Sequence, residues 1–285
     1  MIRLVAFDLD GTVLHGSNAV SEATLDTIRT LLDRDIGVAA ISGRNFDRNQ
    51  VPFRGDPALA NALYAGCYNG GLVFGPGAGA SRPLIHETRL PADVFLDLVR
   101  YVAEHDINFV YCRCDLDATG IHEIYMSDRK TEVSEAVAEM TGLTYDYDAT
   151  LAERLLVGEL GVPPKIMVLP EADRVEKTID DLTHHFGNQI YMAWAVAGRI
   201  EIMHTKANKG VGLRAIAEAM GIGMDAVMAV GDGNNDLPML SAAGVGVVME
   251  NADAGTRAAA GSEIWVAPTV AEDGFSEAVR RFVLT

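Results

Sequence analysis

The strongest constraint on the fold is a short apolar run, residues 3–7, that stops at an acidic sequence, DLD at 8–10. A run this short, bounded by acidic residues and glycine, predicts a strand buried on both faces of a parallel sheet. A helical pattern follows, and a second apolar run at 36–41 stops at the polar sequence SGR at 42–44. Strand, helix and strand at this spacing predict βαβ units.

The same alternation of helical and strand-like patterns returns near the C-terminus, whereas the middle of the chain has a different rhythm. We therefore predict an α/β fold with a doubly wound, Rossmann-like parallel-sheet core. This core comprises residues 1–82 and 195–285, and an inserted α+β cap domain, residues 83–194, divides it. A length of 285 residues is sufficient for two domains. The glycine-rich segment 75–79, just before the insert, predicts a turn or hinge.

Composition excludes several classes of partner. The formal net charge of −17 disfavours binding to nucleic acid or to anionic lipid. No apolar run approaches the roughly 20 residues that cross a bilayer, and no signal peptide is visible. The three cysteines are sparse and odd in number, which is typical of a reducing compartment. We expect a cytoplasmic protein, and its oligomeric state does not follow from the sequence.

Four carboxylates follow predicted core strands: Asp8 and Asp10 after the first strand, and Asp232 and Asp236 after a strand ending near Val230. Ligands of open parallel sheets bind outside the carboxyl ends of the strands. If the two strands are neighbours, the four acids converge, and they cannot all stay ionised without compensation. A hard divalent cation with oxygen ligands supplies that compensation, and Mg²⁺ fits this donor set.

Two further residues predict a site for an anion next to these acids. Lys209, one of only five lysines, stands at the start of a predicted helix. Ser42 follows the second strand and precedes Gly43, so a hydroxyl and free backbone amides are available there. A nucleophile, a cation, a hydroxyl and an ammonium around one pocket are the groups needed for phosphoryl transfer. The sequence NGG at 69–71 predicts only a tight turn.

This pattern resembles the haloacid dehalogenase (HAD) superfamily. Four motifs occur in the family order: DLDGT at 8–12, ISGR at 41–44, NKG at 208–210 and GDGNND at 231–236. The insert between the second and third motifs, and the form of the last two motifs, resemble the Cof-type phosphatase subgroup with a C2-type cap. The resemblance covers the predicted core, and the insert matches only in position and rhythm.

The resemblance implies a role for each motif residue. Asp8 corresponds to a nucleophile that forms an aspartyl-phosphate, and Asp10 to a general acid and base. Mg²⁺ would be bound by Asp8, by the backbone carbonyl of Asp10 and by Asp232. Asp236 would support the metal and Thr12 the loop. The residues implied to bind phosphate oxygens are Ser42, Gly43, Lys209 and Asn235.

The expected function is Mg²⁺-dependent hydrolysis of a small phosphorylated metabolite, such as a sugar phosphate. A phosphotransferase or phosphomutase of the same fold is an alternative that the sequence leaves open. A non-enzymatic phospho-acceptor switch is a third possibility, but receiver-type switches are single domains, and the insert and Asp10 argue against it. The substrate does not follow from any motif. Polar residues of the insert are candidates to face it: His122, Tyr125, Asp128 and Arg129.

Overall fold

The computed structural model describes residues 1–16, 19–194 and 198–285. The strands are, in chain order, β1 (Leu4–Phe7), β2 (Leu14–His15), β3 (Ala19–Val20), β4 (Gly37–Ile41), β5 (Tyr64–Cys67), β6 (Leu72–Phe74), β7 (Leu84–Glu87), β8 (Asn108–Asp117), β9 (Gly120–Ser127), β10 (Asp146–Tyr147), β11 (Lys165–Leu169), β12 (Ile190–Trp194), β13 (Ile200–His204), β14 (Val227–Gly231), β15 (Val245–Met249) and β16 (Trp265–Ala267). The α-helices are α1 (Glu22–Asp33), α2 (Phe46–Gln50), α3 (Pro57–Ala62), α4 (Ala92–Glu104), α5 (Glu132–Thr141), α6 (Leu151–Leu156), α7 (Val175–Phe186), α8 (Lys209–Ala219), α9 (Leu237–Ala242), α10 (Ala254–Ala260) and α11 (Gly274–Phe282).

The chain divides into two compact units, and the first comprises residues 1–87, 118–120 and 208–285. Its main sheet has the strand order β16-β15-β14-β1-β4-β5-β6-β7. The strands from β16 to β5 are parallel, and β6 and β7 extend the sheet in antiparallel pairing. β2 and β3 form a separate short antiparallel pair. The predicted doubly wound α/β core is therefore confirmed.

The central strand β1 shows why this sheet is covered on both faces. Val5 and Phe7 belong to an apolar cluster with residues of α1 and α11. Leu4 and Ala6 belong to a second cluster with residues of α8 and α9. Successive side chains of a strand point to opposite faces, so a strand covered on both sides is apolar throughout. This explains the continuous apolar run in the sequence.

The position of β1 determines where a ligand can bind. β1 pairs with β14 on one side and with β4 on the other, and all of these strands are parallel. The chain therefore leaves β1 towards β4 and returns on the opposite side at β14. This reversal of strand order is a topological switch point, where loops at the carboxyl ends of the strands diverge and leave a crevice.

The second unit comprises residues 88–117 and 121–207. Its sheet has the order β10-β9-β8-β11-β13-β12, and β11 pairs antiparallel with both β8 and β13. One face of this sheet packs with apolar residues of α4, α6 and α7. The other face packs with Val137 of α5. The second unit therefore has an α+β architecture.

Two strands lie in a different unit from the one that the sequence suggested. β7 was expected in the insert, but it pairs with β6 in the first sheet. β13 was expected in the core, but it pairs with β11 and β12 in the second sheet. The expected return to the core at residue 195 falls within residues 195–197, which lie outside the described residues. Apolar patterns predict strands, but they do not show which sheet a strand joins.

The glycine-rich segment 75–79 is a turn attached to the first unit. The buried guanidinium of Arg82 donates hydrogen bonds to the carbonyl oxygens of Gly75 and Gly77, and also to those of Ala60 and Leu63, at 2.9 to 3.1 Å. A charged group that is buried in this way is costly to separate from its partners. These contacts argue against a hinge at the glycines.

None of the helices in the described part of the chain has the length and apolar character needed to cross a membrane. The cysteines Cys67, Cys112 and Cys114 are buried free thiols. Burial raises the pKa of Cys112 to about 12, so this group remains a neutral thiol at physiological pH.

Candidate active site

The centre of the candidate site is a buried ammonium shared by two carboxylates. Lys209 is fully buried at the start of α8, and its Nζ donates to Asp8 Oδ1 and to Asp236 Oδ1, each at 2.5 Å. Asp8 directly follows β1, and Asp236 lies in the loop between β14 and α9. The switch point therefore brings together residues that are 201 and 27 positions apart.

The loop after β14 is arranged around the other oxygen of Asp236. Asp236 Oδ2 accepts hydrogen bonds from the backbone N–H groups of Asp232, at 2.9 Å, and Gly233, at 2.8 Å. This fixes the position of Asp232, whose Oδ1 also accepts a hydrogen bond of 2.8 Å from the Thr12 hydroxyl. Gly11 has φ of +81°, and a Cβ there would lie 2.1 Å from Asp232 Oδ2. The glycine thus allows the loop after β1 to contact the Asp232 carboxylate.

Three carboxylates in this region form a candidate metal site. Asp8, Asp232 and Asp236 each offer an oxygen atom, and these atoms lie within 4.8 Å of one another. Burial raises the pKa of Asp232 to about 6. Burial would lower the pKa of Lys209, but Asp236 and Asp8 outweigh this effect and raise it. Three carboxylates facing one ammonium leave an excess of negative charge, and an all-oxygen donor set suits a hard cation such as Mg²⁺.

The carboxylate of Asp10 lies outside this group of three and is held by an arginine. Arg44 Nε donates to Asp10 Oδ2 at 2.7 Å, and Arg44 Nη2 donates to Asp10 Oδ1. Such a bidentate pair is stronger and more specific in geometry than a single contact. The Asp10 side chain is 60% exposed, whereas that of Arg44 is 13% exposed. Sequence reasoning did not assign a role to Arg44, although it lies in the second motif.

Asn69, for which the sequence predicts only a tight turn, links the predicted phosphate-binding residues after β4 and β14. Asn69 follows β5, and its Oδ1 accepts a hydrogen bond of 3.0 Å from Asn235 Nδ2. A Cβ on Gly43 would lie 3.3 Å from the same oxygen. Ser42 is buried, and its Oγ accepts a hydrogen bond from the Arg44 N–H at 3.3 Å.

A third residue also escaped the sequence analysis. Asn251 follows β15, and its Nδ2 donates to the carbonyl of Gly11 at 2.8 Å and approaches Asp232 Oδ2 at 3.5 Å. The sequence pattern that predicts a role for Ser42 also applies to both asparagines. A polar residue placed directly after a buried parallel strand faces the carboxyl edge of the sheet.

The four candidates in the insert have contacts within the second unit. Asp128 Oδ1 accepts hydrogen bonds from Asn108 Nδ2 and from the backbone of the next residue in β8. Arg129 Nη1 donates to Asp106, at 2.6 Å. Tyr125 packs in an apolar cluster, and His122 contacts Asp117. The contacts of Asp128 and Arg129 attach the end of β9 to the start of β8, and they supply no argument for a role in substrate binding.

Comparison with known proteins gives a consistent result. The family model described as haloacid dehalogenase-like hydrolase matches residues 5–279. An HMP-PP phosphatase from Shigella boydii is 27% identical over 258 residues, which cover 88% of this chain and 89% of that protein. A crystal structure from Thermotoga maritima has a TM-score of 0.82 at 25% identity and covers 99% of this chain and 98% of its own. A sugar phosphatase of HAD subclass IIB has a TM-score of 0.74 at 17% identity, with 99% and 100% covered.

Proposed function

Because this chain belongs to the haloacid dehalogenase-like hydrolases of the Cof type and is a phosphoric monoester hydrolase, we propose that it hydrolyses small phosphorylated metabolites through an aspartyl-phosphate on Asp8, with Mg²⁺ as cofactor. The observation that carries this proposal is the contact of Lys209 Nζ with both Asp8 and Asp236 at 2.5 Å. The buried Lys209 ammonium holds one carboxylate oxygen of Asp8 in place, so the other oxygen has a defined direction for attack on phosphorus.

The oxygen donors for Mg²⁺ would come from Asp8, Asp232 and the backbone carbonyl of Asp10, with Asp236 in support. When bound, Mg²⁺ supplies positive charge that offsets the carboxylates and the phosphate oxygens. The clustering of Asp8, Asp232 and Asp236 supports this assignment. Thr12 holds Asp232 in position through its hydroxyl.

In the proposed reaction, an oxygen of Asp8 bonds to phosphorus while the bond from phosphorus to the ester oxygen breaks. Asp10 donates a proton to the departing alkoxide, and then accepts a proton from the water that hydrolyses the aspartyl-phosphate. The products are the alcohol and inorganic phosphate. The proposed ligands of the phosphate oxygens are the Ser42 hydroxyl, the Gly43 N–H, the Lys209 ammonium and the Asn235 amide.

The proposed substrate is a small phosphorylated metabolite. HMP-PP phosphatases and a sugar phosphatase are among the similar proteins, and both act on small molecules. With a net charge of −17, binding of an anionic substrate requires local positive charge or a metal. A panel of phosphorylated metabolites, with release of inorganic phosphate as the readout, would identify the preferred one.

We expect hydrolysis of p-nitrophenyl phosphate to require Mg²⁺ and to stop in excess chelator. Asp232→Ala should raise the Mg²⁺ concentration needed for half-maximal activity by at least about tenfold, because a charged ligand is lost. Ca²⁺ should inhibit, because its longer and more variable coordination does not fit the same geometry. Asp180→Ala, at an exposed carboxylate on α7, is the matched control. Full activity in excess EDTA would exclude the proposed cofactor.

We also propose that the second unit, 88–117 and 121–207, selects the substrate. In the chain it is inserted between Ser42 and Lys209, and the last segment of the first unit begins at Asn208, directly before Lys209. A variant in which a short linker replaces residues 88–207 should keep hydrolysis of p-nitrophenyl phosphate but lose discrimination among metabolites. Circular dichroism would establish that the shortened chain folds. An unchanged order of substrate preference in the folded variant would place specificity in the first unit instead.

A further inference from the structure

The segment after β5 has an unusual backbone. Three consecutive residues, Tyr68, Asn69 and Gly70, have φ of +52°, +55° and +80°, and we refer to them as the asparagine turn. Left-handed conformations are uncommon for residues other than glycine, and a buried tyrosine is an especially unfavourable choice. Tyr68 is fully buried. Backbone strain of this kind persists only where surrounding contacts impose it, and it is concentrated at functional sites.

Contacts with the loop after β4 are one reason for this conformation. The backbone N–H of Tyr68 donates to the carbonyl of Arg44 at 2.9 Å, and that of Asn69 donates to the carbonyl of Ser42 at 2.9 Å. The asparagine turn is therefore attached on both sides of Gly43. Any shift of the turn would move the hydroxyl and amide that we assign to phosphate binding.

A second contact joins the asparagine turn to α8. A Cβ on Gly70 would lie 2.8 Å from the carbonyl oxygen of Asn208, and a Cβ on Gly212 would lie 2.8 Å from the Cα of Gly70. The two glycines thus let the turn contact the first turn of the helix that begins with Lys209. No side chain fits between the two backbones.

The third contact is made by a side chain. The 3.0 Å hydrogen bond from Asn235 Nδ2 to Asn69 Oδ1 determines which way the Asn235 amide faces. Asn69 is itself buried, with a relative exposure of 5%. Because Asn69 Oδ1 accepts one N–H of the Asn235 amide, the other N–H and the carbonyl oxygen of that amide face in other directions.

We propose that Asn69 is a positioning residue that orients Asn235 towards the substrate phosphate, and that the asparagine turn sets the spacing of the segments carrying Ser42, Asn235 and Lys209. This inference rests on the proposed function, which assigns those three residues to phosphate. It extends that function to a residue outside the four motifs. Asn69 acts through Asn235, and its own side chain need not touch the substrate.

The test is the binding of inorganic phosphate to the full-length, Mg²⁺-loaded protein, measured by isothermal titration calorimetry, so turnover is not required. Asn69→Gly removes the side chain and tolerates the left-handed backbone, so the fold should be retained. We expect phosphate to bind about tenfold more weakly, the effect of a misdirected hydrogen bond to a charged group. Asp35→Gly, at an exposed left-handed residue before β4, is the matched control and should bind like the wild type.

A double-mutant cycle separates positioning from a general structural effect. If Asn69 acts through Asn235, the double variant Asn69→Gly/Asn235→Ala should bind phosphate within about twofold of Asn235→Ala alone, because coupled residues are not additive. Additive losses, or unchanged binding by Asn69→Gly, would overturn the inference. A wild-type protein that binds no phosphate would overturn it as well. A wild-type protein that binds phosphate without hydrolysing esters would count against the proposed function alone.

Discussion

Asp8→Asn is expected to abolish turnover of p-nitrophenyl phosphate, with kcat reduced by at least about 10⁴-fold, as for loss of other enzymatic nucleophiles. The amide is nearly isosteric with the carboxylate, but it is not a nucleophile that can attack phosphorus. Lys209 Nζ can still donate to the amide oxygen of the asparagine, so the residues around this 2.5 Å contact should keep their positions. Acid-quenched wild-type protein should yield a phosphorylated peptide that contains Asp8, and the variant should not.

The same variant gives a pH-dependent control for folding. In the metal-free protein, burial raises the pKa of Asp8 to about 8, with Asp236 and Asp232 adding to the effect and Lys209 opposing it. A carboxyl whose pKa is raised on folding favours the folded state while protonated, so stability is lost as pH rises between about 4 and 8. Without Mg²⁺, Asp8→Asn should therefore have the higher Tm at pH 8, and the difference should shrink at pH 5.

Two results would contradict these expectations. Substantial kcat in a preparation of Asp8→Asn that is free of contaminating phosphatase would remove Asp8 from the nucleophile role. A Tm below that of the wild type at pH 8 would show that the Lys209 contact outweighs the repulsion among the carboxylates. Asp33→Asn, on α1 and outside the site, is the control for both measurements.

Asp10→Asn should reduce kcat by about 10²-fold to 10⁴-fold with alkyl phosphates, the usual contribution of a general acid and base. p-Nitrophenyl phosphate should be less affected in the first step, because its leaving group needs little protonation. The comparison of the two substrate classes is the measurement. Equal loss for both would indicate that Asp10 acts otherwise, or that hydrolysis of the aspartyl-phosphate limits the rate in each case.

The contact of Asp10 with Arg44 bears on this test. Both carboxylate oxygens accept hydrogen bonds from the guanidinium, so proton transfer to a leaving group requires one of them to be released. Arg44→Gln should separate the restraint on the Asp10 carboxylate from its role in proton transfer. This variant leaves Asp10 intact and removes the charge that holds it. A change in the ratio of alkyl to nitrophenyl rates in Arg44→Gln would show that Arg44 controls the orientation of Asp10.

The asparagine residues illustrate what sequence reasoning misses. Asn69 and Asn251 each follow a buried strand, as Ser42 does, but asparagine is equally typical of an ordinary turn, and Asn69 also precedes a glycine. Their roles depend on partners far along the chain, since Asn69 contacts Asn235, 166 positions away. The tertiary structure alone shows that these partners meet.

The structure brings together Asp8, Asp232 and Asp236. The sequence alone predicted the α/β core, the family and, on the condition that the two strands are neighbours, the convergence of these three acids with Asp10. It did so because apolar runs that end in polar residues report both a buried strand and the edge of the sheet that it faces. That β7 joins the first sheet and β13 the second, and that Arg44 holds Asp10, is visible only in the folded chain. Strand partners and side-chain pairs depend on long-range packing, and local patterns of hydrophobicity carry no information about which distant segment supplies the partner.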